Sequence, residues 1–135
     1  MHIHRSISLA LPLLAAALAG CAALAPTSPE QIVQQRATQY WEARTVGRPD
    51  KAYALSTPSY RKLRTEVQFR QQFGAAANVN GAEVADVTCE EARCKAKIKI
   101  SVTPALLGIK TGAVATYMDE IWLLEDGQWW HYQEP

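Results

Sequence analysis

The stretch Cys89-Glu90-Glu91-Ala92-Arg93-Cys94-Lys95-Ala96-Lys97-Ile98-Lys99-Ile100 decides how this chain folds. From Lys95 onward lysine alternates with an apolar residue, the period-two pattern of a strand with one wet face and one dry face. The cysteines enclose four residues, a spacing that suits a hairpin with a four-residue loop. Pairing Cys89 with Cys94 sets a register. It places Val87 opposite Ala96 and Ala85 opposite Ile98 on the dry face, and Asp86 opposite Lys97 on the wet face. Apolar face, charge pairing and cysteine spacing then agree on one antiparallel hairpin.

Downstream, Pro104 to Ala113 reads as a longer connection carrying Ala105, Leu106, Leu107 and Ile109. Such an apolar segment would dock on a partner or a membrane, or fold over the sheet as a lid. A second long strand is expected from Val114 to Glu125. Asp126-Gly127 is a strong two-residue hairpin turn, and Gln128 to Gln133 returns. This register pairs Leu124 with Trp129, Leu123 with Trp130, Trp122 with His131 and Ile121 with Tyr132. One face then shows Met118, Glu120, Trp122, Leu124, Trp129 and His131. The other shows Tyr117, Asp119, Ile121, Leu123, Trp130 and Tyr132. Both faces carry large side chains, so each is expected to be at least partly covered.

Upstream, the pattern is helical. Ser28 caps, Pro29 suits the first helical position and Gln31 completes a capping box. Val33, Ala37, Tyr40, Trp41 and Arg44 recur at helical spacing, and Gly47 with Pro49 ends the helix. A shorter helix holds Ala52, Tyr53 and Leu55. Thr57-Pro58 opens another turn carrying Tyr60 and Leu63. Thr65 caps a last helix with Gln68 at the box position, Phe69 and Phe73 on one face and Gly74 as its stop. Ala75 to Gly81 reads as a loop.

The amino-terminal segment is of another kind. Arg5 gives a basic start, and Ile7 to Leu18 is an apolar run interrupted only by Ser8 and Pro12. It is too short for a bilayer, which needs about 20 apolar residues. Leu18-Ala19-Gly20-Cys21 follows, and it resembles a bacterial lipobox. The alternatives are a plain signal peptide with an incidental Cys21, or a buried helix. The resemblance implies cleavage before Cys21 and a diacylglyceryl thioether on its sulfur, usually with an acylated amino group. Such lipid anchors stably, at about 0.8 kcal/mol per buried methylene. Ala22 stands where an inner-membrane retention signal often has aspartate, which favours the periplasmic face of the outer membrane in a Gram-negative host. Ala22 to Ser28 is then a tether reaching at most about 25 Å, and residues 29–135 form the domain.

Removing residues 1–20 from 135 leaves 115, enough for one modest core. The chain has 14 Lys+Arg and 13 Asp+Glu, and losing Arg5 brings the formal charge to zero. That removes any global electrostatic case for nucleic acid. An exported compartment permits disulfides, so Cys89 and Cys94 are expected to pair, with free thiols as the alternative. A zinc site would need further ligands, and beyond the leader His131 is the only histidine. No cofactor is expected.

Helices first, then a meander of long strands, is an α+β layout. Tyr40-Trp41-Glu42-Ala43-Arg44 before Gly47, Ala52-Tyr53-Ala54-Leu55-Ser56, Pro58-Ser59-Tyr60-Arg61 and the closing Trp129-Trp130-His131-Tyr132 resemble the nuclear-transport-factor-like superfamily, which includes ketosteroid isomerases and polyketide cyclases. The resemblance covers about residues 29–133. It implies N-terminal helices on a curved antiparallel sheet, a cone with room for a pocket. It implies no reaction, since the fold hosts enzymes, binders and docking modules.

Glu120 and His131 share a face at diagonal positions, and a carboxylate orienting a histidine makes a general base in an apolar pocket. The plainer reading is a structural hydrogen bond. Asp119, with Tyr117 and Tyr132, is the equivalent on the opposite face. No catalytic position carries over from the family residue by residue. Tyr40, Trp41, Met118, Trp122 and Trp129 are pocket candidates, although aromatic clusters at such spacing more often fill a core. Lys95, Lys97 and Lys99 would touch an anionic partner or form a solvated face. The leading expectation is a non-catalytic envelope lipoprotein, held on the membrane through Cys21 and binding a protein partner or small apolar ligand. The rivals are a small isomerase, cyclase or hydrolase using the cone, and a structural subunit of an envelope assembly.

Overall fold

The computed structural model describes residues 26–73, 79–106, 109–110 and 112–135. Within 105–110 it describes the backbone alone. The expected leader, Cys21 and the Gly74 stop lie outside these residues.

Among the described residues, local chemistry accounts for four helices. α1 (Pro29–Thr45) opens on the expected capping box: the Gln31 amide donates to Ser28 Oγ at 3.3 Å, and the Ser28 amide donates to Gln31 Oε1 at 3.1 Å. It closes through Gly47 at φ 73°, a left-handed position glycine adopts without strain. The Arg48 amide reaches back to the Ala43 carbonyl at 2.7 Å, and the Gly47 amide to that of Arg44 at 3.4 Å. Proline then opens α2 (Pro49–Ala54) and α3 (Pro58–Leu63). Thr57 caps α3 by accepting from the Tyr60 amide. Thr65 and Gln68 form a second box at the start of α4 (Glu66–Phe73).

The helices pack against a curled four-stranded antiparallel sheet, so the fold is α+β. Its strands are β1 (Val79–Glu90), β2 (Arg93–Val102), β5 (Val114–Glu125) and β6 (Gln128–His131), in the order β1-β2-β5-β6. Between β2 and β5, the tiny strands β3 (Ala105–Leu106) and β4 (Ile109–Lys110) pair with each other. They lie in the expected Pro104–Ala113 connection.

The first hairpin follows the expected register from the cysteines to Asp86. Cys89 faces Cys94, Val87 faces Ala96 and Asp86 faces Lys97. Beyond that the expectation fails. Val84, not Ala85, faces Ile98, because the ladder shifts between Val84 and Asp86. The reason lies in the spacing of apolar residues. Val84 and Val87 are three apart, an odd step that uninterrupted alternation cannot keep on one face. A bulge absorbs Ala85, which is exposed, and leaves both valines half-buried on the dry side. The loop is also tighter than the four residues expected, because Glu90 still pairs with Arg93. Val79 to Gly81, expected in a loop, belong to β1.

At the second hairpin, Trp122–His131, Leu123–Trp130 and Leu124–Trp129 pair as expected. Asp126 and Gly127 both take positive φ, 52° and 74°, as a type I′ turn requires. β6 stops at His131, short of the expected Gln133, although the Tyr132 amide still donates to the Ile121 carbonyl at 2.8 Å.

The core fills the space between α1 and the concave face. Val33, Ala37, Tyr40 and Trp41 meet Ala96, Ile98, Ile100 and Trp122 there, with Tyr60 and Phe69 from α3 and α4. On the other face of the hairpin, Trp130 is half-buried. The guanidinium groups of Arg36 and Arg61 lie 4.7 and 5.0 Å from its ring centre. Both faces are thus partly covered, while Tyr117 and Tyr132 stay exposed.

Candidate functional site

β5 and β6 place Glu120 and His131 on the concave face, and α1 brings Tyr40 and Trp41 over them. The non-local element is the segment after α2. Leu55 accepts from the His131 amide at 2.8 Å, and the Thr57 amide donates to the His131 carbonyl at 3.1 Å. This short parallel bridge closes the outer edge of β6 and holds His131 in place.

Glu120 is only 5 % exposed. Its Oε1 accepts from Trp41 Nε1 at 2.9 Å, and His131 Nε2 lies 3.5 Å from the same oxygen. The first is a well-formed, charge-assisted bond; the second is longer than a good hydrogen bond. Among the described residues, Glu120 Oε2 and His131 Nδ1 have no hydrogen-bond partner. The His131 ring lies 4.2 Å from the Tyr40 ring centre and 5.3 Å from that of Trp122. Gln133 extends the network. Its Nε2 donates to the Tyr40 hydroxyl at 3.1 Å, and its Oε1 accepts from Ser56 Oγ at 3.1 Å. Burial raises the Tyr40 phenol above its ordinary range; the nearby Arg44 guanidinium opposes this, and the Glu120 carboxylate adds to it.

This network borders an open cleft of about 370 Å³. Tyr40, Arg44, Phe73, Met118, Glu120 and His131 contribute to its walls, and Asp119, Tyr132 and Glu134 lie along it too. Of the pocket candidates, Met118 lines the cleft and is exposed, and Tyr40 borders it while being fully buried. Trp41, Trp122 and Trp129 are buried in the core and do not border it. The space inside the curled sheet is thus filled at its centre and open at one end. Glu120, His131 and Asp119 all border that end, although Asp119 comes from the opposite face and is half-exposed beside Lys95 at 3.7 Å.

Ser56, Gln133 and Phe73 had no place among the candidates. Gln133 was within reach of sequence reasoning, because it alternates with His131 along the returning strand. Ser56 was not, since its position depends on the bridge to β6.

Cys89 and Cys94 form a disulfide, with Cα atoms 4.0 Å apart. Lys95, Lys97 and Lys99 line the exposed outer face of β2, with Asp119 opposite Lys97 on β5 and Asp86 opposite it on β1. Acidic neighbours therefore interrupt the basic stripe. Among the described residues, no group of three metal-ligating side chains is present, and no helix is long and apolar enough to cross a membrane.

Neither a protein-family model nor a curated protein matches this chain. Among solved structures, TsrD from Streptomyces laurentii is similar, with a TM-score of 0.50 and 22% identity over 76% of this chain and 86% of that one. A SEC-C motif containing protein from Rhodopseudomonas palustris has a TM-score of 0.48 and 14% identity, over 79% of this chain and 77% of that one. At these identities, the likeness to TsrD is one of fold alone.

Proposed function

We propose that this chain is a lipid-anchored lipoprotein of the bacterial envelope whose nuclear-transport-factor-like domain is a non-catalytic binding module. The observation that carries the binding reading is the cleft beside Glu120 and His131, at the open end of an otherwise filled cone. Its walls mix aromatic and apolar surface with a few convergent polar groups, the usual make-up of a ligand site. Anchoring rests on Leu18-Ala19-Gly20-Cys21 and the apolar run before it. With Ala22 after the cysteine, the periplasmic face of the outer membrane is the proposed address in a Gram-negative host.

The anchoring test is Cys21→Ser. Loss of lipid labelling and release from the membrane fraction are expected; a variant still labelled and membrane-bound would refute the lipobox. For the cleft, the test is nuclear magnetic resonance of the full-length protein titrated with small-molecule fragments. Shifts of the His131 and Trp41 side-chain signals are expected. Fragments that move only signals on the outer sheet face would count against it.

A second reading is acid–base catalysis, favoured by the 3.5 Å approach of His131 to Glu120 beside the cleft. It requires that His131→Gln abolish turnover of a cleft ligand while leaving its affinity nearly unchanged.

A further inference from the structure

We propose that the cleft recognises an organic cation, an ammonium group carried on an aliphatic stem, with Glu120 as its counter-ion. The proposal rests on the cleft being a binding site and names the chemistry it selects.

Charge balance is the first argument. Among the described residues, Asp119, Glu120 and Glu134 border the cleft with the guanidinium of Arg44, and Asp119 is paired with Lys95 at 3.7 Å. Arg44 lies against aromatic rings, its guanidinium carbon 4.8 Å from the Trp41 ring centre and 5.7 Å from that of Tyr40, although its Nε has no hydrogen-bond partner among the described residues. With Asp119 matched by Lys95, Glu120 and Glu134 still outnumber Arg44, so an anionic ligand meets a net negative cleft.

The second argument is the state of Glu120. A carboxylate taken out of water needs its oxygens satisfied. Trp41 and His131 both approach Oε1, whereas Oε2 has no partner among the described residues, and the side chain is 3 % exposed. A carboxylate accepts through both oxygens, so the unused one calls for a donor, and a cationic donor answers charge and hydrogen bonding together.

The third argument is the wall material. Phe73 and Tyr132 present aromatic surface and Met118 adds a thioether. Aromatic faces attract a cation and tolerate its alkyl stem, whereas they add nothing for an anion. A free alkylamine and a lysine side chain of a partner protein share this chemistry.

The experiment is calorimetric titration of the full-length protein in detergent with n-butylammonium, n-butanol and butyrate. Nuclear magnetic resonance on the same samples follows His131 and Trp41. Butylammonium is expected to bind at least about tenfold more tightly than butanol, about 1.4 kcal/mol, with butyrate weakest. Glu120→Gln keeps an oxygen for Trp41 and should erase most of that preference. Glu134→Gln, at the exposed rim, should weaken butylammonium by about two- to threefold without touching the core. A lysine-containing peptide against free cadaverine separates the two sources: tighter peptide binding identifies a partner's side chain, and tighter cadaverine binding a free amine. Equal binding of butanol and butylammonium would overturn the cation proposal while leaving the cleft as a binding site. If no probe shifts the cleft signals, the binding reading falls with it.

Discussion

Glu120 owes its buried position to its neighbours. The sequence marked it as sharing a face with His131, and it does, but the closer contact comes from Trp41, 79 positions away. No local pattern announces that bond, because it depends on where α1 crosses the sheet. Trp41→Phe keeps most of the packing and removes the indole N–H. Leaving a buried carboxylate less satisfied should cost about 1–3 kcal/mol, read from urea denaturation. Tyr40 supplies a second prediction at this scale. Its phenol is raised above the ordinary value of 10.0, first by burial. The folded state then keeps a proton that the unfolded chain releases, so Tyr40 favours folding below pH 10 and loses that contribution as pH climbs beyond it. Tyr40→Phe loses the Gln133 bond and starts less stable. Its decline between about pH 9 and about pH 11 should nevertheless be shallower than that of the parent, measured as melting temperature against pH.

Helix boundaries were legible because caps are local. Ser28 with Gln31, Thr65 with Gln68, and Gly47 each act within four residues of the boundary they set. Asp126-Gly127 was legible for the same reason. The β1–β2 register was legible only as far as strict alternation held. The three-residue step from Val84 to Val87 was present in the sequence, and burial resolved it by bulging Ala85 outward. Deleting Ala85 should therefore restore plain alternation and preserve the fold, at a cost near 1 kcal/mol. Deleting Lys97 should reverse the faces of β2 beyond it and abolish the cooperative melt. Circular dichroism melts compare the two; similar curves would exclude the bulge.

At the scale of the molecule, two links hold helices and sheet in one arrangement. One is the core of Tyr40, Trp41, Trp122 and Ile98. The other is the bridge between Ser56 and His131. The disulfide does something different, because it closes a short loop within one hairpin. Closing a loop of about six residues limits the unfolded chain and stabilises by about 2 kcal/mol. Replacing Cys89 and Cys94 together by alanine should lower unfolding free energy by about that amount and leave the far-ultraviolet circular dichroism unchanged, since the ladder continues from Glu90–Arg93 to Val79–Val102.

By itself the sequence determined the α+β order of elements, the helix caps, the Asp126-Gly127 turn and the pairing of Cys89 with Cys94. These depend on neighbours along the chain or on a two-residue period. Tertiary structure decided which aromatic residues became core and which became wall. Tyr40, Trp41, Trp122 and Trp129 are buried, while Phe73, Met118 and Tyr132 form the wall of the cleft. That division follows from where α1 lies across the curled sheet and where β6 ends, and both are set by contacts between residues far apart in sequence.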